Sequence, residues 1–273
     1  MGEHHPRLSL SSVCTFAWSL EEDLRLWDQV GARRVGIALP TLEAVGMERA
    51  VSMLQAEGLR IANLIGVSPF RLDAPGEWSA HRGRTSEAIG AAAALGAEAL
   101  LYTTGPFGTL TWEQAAAAFA DAFGPVFAEA AAAGVQIGLE NTGALRYENG
   151  FVTTLSDTVD LARSFGATVC VETWNCWPER NLAATLAGAA GIISVIQLSD
   201  FVAGTHQTPD RAVPGDGMIP IGRIVAAAEG GGYRGPYELE LIGPRIEAEG
   251  PAAAVARGLT FLDALLDGTG VTR

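Results

Sequence analysis

Val135–Asn141 reads VQIGLEN, an apolar run of strand character that stops at an acidic and amide pair, Glu140 and Asn141. A carboxylate is costly to bury unless it is paired, hydrogen-bonded or bound to a metal, so one at the mouth of an apolar strand calls for a partner. Three further stretches repeat the design. Thr168–Asn175, TVCVETWN, ends its apolar run on Glu172; Ile192–Asp200, IISVIQLSD, carries Gln197 and Asp200; Pro236–Gly243, PYELELIG, carries Glu240. Four apolar strands thus end in oxygen-bearing side chains.

Around them the chain alternates short strand-like runs with Ala- and Leu-rich helical runs. The pattern predicts strands over Leu8–Val13, Arg34–Leu39, Arg60–Ile65 and Ala99–Thr103, then VQIGLEN, then Thr168–Glu172, Ile192–Leu198 and Tyr237–Leu241. Helices are expected at about Leu20–Val30, Leu42–Glu57, Arg82–Leu95, Trp112–Ala133, Thr154–Phe165, Leu182–Ala187, Ile221–Glu229 and Pro251–Leu266. The boundaries have physical reasons. Glu21, Glu22 and Asp23 suit the positive end of a helix dipole, and Gly31, Gly58, Gly96 and Gly166 supply stops. Pro40 is read as the end of the second strand, and Gly124-Pro125 as a bend in the long helix. Alanine runs such as Ala130–Ala133 fill helices. Eight strands and eight helices at about 34 residues per unit predict an α/β fold, a single-domain (β/α)8 TIM barrel over residues 1–273.

Composition agrees with one compact domain. The chain is 48% hydrophobic and 18% charged, which excludes a disordered segment of any size. No stretch reaches the roughly 20 uninterrupted apolar residues of a membrane span, and MGEHHPRLSL lacks the apolar core of a signal peptide, so a cytoplasmic protein without membrane partners is expected. A net charge of -13 repels nucleic acid phosphate. Cys14, Cys170 and Cys176 show no zinc spacing and are read as free thiols.

In a barrel of this kind the C-terminal strand ends form the active-site face, so Glu140, Glu172, Gln197 and Glu240 are expected round one opening. Three crowded carboxylates would repel one another, and a divalent cation among them is the simpler remedy. An all-oxygen set favours Mn2+, with Mg2+ or Co2+ as alternatives, ahead of Zn2+. The competing expectation is that the glutamates pair with Arg146, Arg211 or Arg245. The loop Asp200–Pro220 is the longest in the chain and, rich in proline and glycine, is read as functional.

GLEN, ETWN followed by CW, QLSD, DRAVPGDGMIPI and YELEL together resemble the sugar phosphate isomerase/epimerase family of xylose-isomerase-like barrels, which includes ketose 3-epimerases and inosose dehydratases. The resemblance covers essentially the whole chain. It implies one divalent metal held by Glu140, Glu172, Gln197 and Glu240, with Glu140 and Glu240 as the proton-transferring pair. Three positions depart from the family pattern: Glu172 and Asn175 stand where Asp and His are usual, and Gln197 where His is more common. The implied chemistry is proton abstraction next to a carbonyl, leading to epimerisation, isomerisation or dehydration of a sugar or related polyhydroxy ketone. Arg211, Asn175, His206, Trp174 and Trp18 are the expected substrate contacts, and a homodimer is the expected assembly. DNA-repair nucleases share the barrel but use many histidines, and this chain has four. A polyol-binding or scaffolding barrel without turnover remains the non-enzymatic alternative.

Overall fold

The computed structural model describes residues 4–66 and 70–272. Its eight strands are β1 (Leu8–Ser11), β2 (Arg34–Ala38), β3 (Arg60–Gly66), β4 (Leu100–Tyr102), β5 (Ile137–Glu140), β6 (Thr168–Glu172), β7 (Ile193–Leu198) and β8 (Tyr237–Leu239). Each pairs in parallel with the next, and β8 closes on β1 through Leu8 opposite Tyr237 and Leu10 opposite Leu239. The result is the expected (β/α)8 barrel.

Between strands run α1 (Leu20–Val30), α2 (Leu39–Val45), α3 (Met47–Ala56), α4 (Trp78–Leu95), α5 (Trp112–Ala132), α6 (Leu155–Phe165), α7 (Thr173–Cys176), α8 (Leu182–Ala189), α9 (Ile221–Gly230), α10 (Pro244–Glu249) and α11 (Pro251–Gly268). α1 starts on a capping box, with Ser19 and Glu22 each bonding the other's backbone N–H, and stops at Gly31 with φ 77°. Four helix details differ from the sequence reading. Pro40 lies in the first turn of α2, where its missing N–H has no helical partner to lose, and a break at Gly46 (φ 93°) separates α2 from α3. α4 begins at Trp78 after a 3-10 turn over Pro75–Glu77. α5 runs unbroken through Pro125. The TWN of ETWN, which the sequence reading left outside any element, opens the short helix α7, capped by the Glu172 side chain.

α5 is long and apolar enough, by length and composition alone, to cross a membrane. Its apolar face is accounted for within the fold: Phe119, Phe123 and Val126 are fully buried, and Phe119 stacks on Phe123 with ring centroids 4.4 Å apart.

The main apolar core lies between barrel and helices. Inside the barrel a small plug of Ile65, Ala99, Leu101, Cys170 and Val195 fills the lumen. The lumen also holds polar side chains, because alternate strand residues face inward. Ser9 of β1, Asn63 of β3, Gln197 of β7 and Glu238 of β8 are all fully buried and converge there.

Candidate active site

Glu140 and Glu172 stand at the C-terminal ends of β5 and β6, Glu240 one residue past the end of β8, and Gln197 one residue before the end of β7. Register sets Glu172 opposite Gln197, and Gln197 opposite Glu238. Asn141 fastens the first two strand ends together. Its Oδ1 accepts the Glu172 N–H at 2.9 Å, its Nδ2 donates to the Glu172 carbonyl at 3.1 Å, and its own carbonyl accepts from Asn175 Nδ2 at 3.0 Å.

Arg211 enters this centre from the Asp200–Pro220 loop. Its Nη2 lies 3.0 Å from Glu172 Oε2 in an ion pair that lacks hydrogen-bond geometry, and its Nη1 pairs with Glu240 Oε1 and reaches the Glu240 carbonyl at 3.3 Å. Gln197 turns its Nε2 to Glu240 Oε2 and, at 3.2 Å, to Glu238 Oε1, while its Oε1 accepts from Cys170 Sγ at 3.2 Å. Below, Glu238 Oε2 accepts from Ser9 Oγ and Asn63 Nδ2, both at 2.9 Å. Gly36 makes room for that carboxylate: a Cβ there would stand 2.2 Å from Glu238 Oε2. The Glu140 carboxylate makes no hydrogen bond or ion pair among the described residues.

Four carboxylates against one buried guanidinium leave the centre short of positive charge. Burial, then the Glu240 and Glu172 carboxylates, push Glu140 up to about 8. Burial also lifts Glu172, against the pull of Arg211, to about 7. Glu238 rises to about 7 through burial and the neighbouring Glu240. For Arg211, burial opposes the charge and the Glu172 and Glu240 carboxylates outweigh it, so the guanidinium is held above its ordinary value.

The donor chemistry suits a hard divalent cation at three positions. Glu140 is free, Glu172 Oε2 has no hydrogen-bond donor, and Glu240 shares the same opening. Among the described residues no three His, Cys, Asp or Glu side chains already stand in metal-binding geometry. Arg211 lies against Glu172 and Glu240, and Gln197 turns its amide nitrogen to Glu240 and its Oε1 to Cys170. As a metal ligand Gln197 would have to offer its amide oxygen, which a turn of the amide would bring round.

Of the expected substrate contacts, Trp174, Asn175 and Arg211 line one cavity of about 50 Å³ with Glu140 and Arg146. Trp174 meets Phe201 edge-on at 5.8 Å, and its Nε1 is buried without an acceptor. His206 and Trp18 do not join them: His206 is exposed in its loop, and Trp18 packs against the core near α1. Asp200 also turns away. Its carboxylate accepts backbone N–H groups of Phe201, Gly215, Gly217 and Ile219 at 2.8 to 3.0 Å, fixing the loop that carries Arg211. Of the pairing partners expected for the glutamates, Arg211 serves two of them, while Arg146 pairs with Glu148 and Arg245 with Asp210. Glu238 and Asn63 are the residues the sequence reading missed. The signal for Glu238 was present, since a strand period of two sends Glu238 to the same side as Glu240.

A family model described as "Xylose isomerase-like TIM barrel" matches residues 29–265. No curated protein matches. Among solved structures, protein SMc04130 from Sinorhizobium meliloti 1021 is 23% identical, covering 93% of this chain and 96% of its own, with a TM-score of 0.85. The IolI protein, solved with a bound zinc atom, is 16% identical over 97% of this chain and 100% of its own, at 0.83. An L-ribulose 3-epimerase is 17% identical over 97% and 96%, at 0.77. At these identities the likeness is one of fold.

Proposed function

The chain belongs to the xylose isomerase-like TIM barrel family, and from that premise we propose that it is a divalent-metal-dependent isomerase or epimerase of a sugar or related polyhydroxy ketone. The observation that carries the reading is the meeting of three strand-end carboxylates, Glu140, Glu172 and Glu240, in a buried centre with one guanidinium. Glu140, Glu172, Glu240 and a turned Gln197 would hold the cation, Mn2+ by donor chemistry, and the cation would polarise a substrate carbonyl.

The chain's own residues supply the rest. Glu140 and Glu240, on strands separated by β6 and β7, take and return the proton on the carbon next to the carbonyl. Arg211, released from Glu172 and Glu240, donates to a substrate oxygen. Asn175 stands where an imidazole is usual in the family resemblance, so it orients a hydroxyl and moves no proton. Trp174 supplies an apolar wall. Dehydration of an inosose-like ketone would use the same groups, with loss of a β-hydroxyl in place of reprotonation.

One observation favours a second reading. Arg211 already pairs with both Glu172 and Glu240, as expected of a polyol-binding barrel that needs no metal and turns nothing over. The test is solvent deuterium incorporation into a panel of ketoses and inososes by the Mn2+-treated protein, read by mass spectrometry. Exchange into at least one ketone, absent in Glu140→Gln, supports the enzyme. Binding without exchange across the panel overturns it in favour of the binding barrel.

A further inference from the structure

The opposite, N-terminal mouth of the barrel carries a second feature, independent of the reading above. A cavity of about 270 Å³ opens there between the starts of β1, β2 and β3, lined by His4, His5, Arg33, Arg34 and Arg60 with Pro6, Leu8 and Gly31. Among the described residues none that lines it is acidic, in a chain of net charge -13. The carboxylates nearby pair with these side chains and are not among the lining residues: Glu98 with Arg34 and Arg60, Asp28 with Arg33, and Asp263 with His4.

The donors outnumber these acceptors. Arg34 is 7% exposed; its Nη2 meets both Glu98 oxygens, its Nη1 donates to the Pro6 carbonyl at 3.1 Å, and its Nε is buried with no acceptor. Arg60 donates to the same Glu98 through Nε at 2.7 Å, so two guanidiniums share one carboxylate. Arg33 has a single contact, Asp28 at 3.3 Å, on an exposed surface. Arginines at this end of α1 would ordinarily serve the helix's last carbonyls. That task is already met for Val30, whose carbonyl accepts from His4 Nε2 at 2.7 Å.

The geometry points to a second binding site at this mouth, for a small oxyanion ligand: a phosphate monoester or a polycarboxylate held by Arg33, Arg34 and Arg60. Planar guanidinium forks match both oxyanions, and the volume, just below the usual range of metabolite pockets, suits a small ligand.

The test is isothermal titration calorimetry of the full chain with inorganic phosphate and with citrate, each against chloride at matched ionic strength. One saturable site is expected, and the preferred anion distinguishes a phosphoryl ligand from a polycarboxylate. Arg33→Ala and Arg60→Ala, at positions 66% and 65% exposed, keep the fold and each weaken binding about tenfold, the loss of one charge-assisted contact. Arg257→Ala, elsewhere on the surface, leaves it unchanged. No saturable binding of either anion overturns the site, as does binding that survives Arg33→Ala and Arg60→Ala but disappears in Arg211→Ala, which would move it to the catalytic mouth.

Discussion

Arg211 carries the positive charge that two buried carboxylates face. Removing one partner of a buried ion pair leaves the other charge without compensation, a loss of about 3–5 kcal/mol. Arg211→Ala is therefore expected to lose about that much stability in chelator-treated protein at neutral pH, measured by urea unfolding, and to recover part of it when Mn2+ is added. A variant as stable as the wild type would mean that Glu172 and Glu240 do not depend on Arg211 for compensation. A second single residue sets a pH dependence away from the site. Asp23, fully buried in the first turn of α1, bonds Thr15 Oγ1 at 2.5 Å and leaves Oδ2 without a partner. Burial pushes it up from 3.8 to about 7, against the Thr15 hydrogen bond. A carboxyl raised in the folded state binds its proton more tightly there than when unfolded, so folding is favoured below the unfolded value and loses stability as pH rises from about 4 to about 7. Asp23→Asn should flatten this part of the stability profile, by at most about 4 kcal/mol between those limits. An unchanged profile would show that Asp23 is ionised in the fold.

Elements, more than residues, were legible in the sequence. Eight apolar runs with glycine stops give the barrel because short parallel strands buried on both sides need unbroken apolar sequence. The same property marks their ends, since Glu140, Glu172 and Glu240 interrupt such runs. What was not legible is direction. A loop's composition does not say which way its side chains turn, so His206 was read as a substrate contact, whereas it is exposed, and the backbone-binding role of Asp200 went unread. The break between α2 and α3 was hidden likewise, because Pro40 suits a strand end and a helix start equally well. Asp200 gives the loop its shape, and Gly217 packs close against it: a Cβ there would lie 2.4 Å from both Asp200 Oδ1 and the Phe201 carbonyl. Gly217→Ala should cost about 2 kcal/mol and raise amide exchange over residues 211–219, with α9 and β8 unaffected. Exchange confined to the substituted residue would contradict the loop's dependence on that carboxylate.

At the scale of the whole molecule the two mouths of the barrel are opposite in charge. The C-terminal mouth gathers Glu140, Glu172, Glu238 and Glu240, and the N-terminal mouth Arg33, Arg34 and Arg60. A chain of net charge -13 concentrates cations at its surface, and the first mouth is where an additional cation relieves the most repulsion. Binding to the folded chain alone must also stabilise it, by about 2.7 kcal/mol when the free cation is at 100 times its dissociation constant. Elemental analysis tests this cation site most directly: wild type, Glu140→Ala and Glu240→Ala, each incubated with Mn2+ and freed of unbound metal. The expected result is about one equivalent in the wild type and little in either variant. No metal in the wild type, or equal metal in all three, would contradict it.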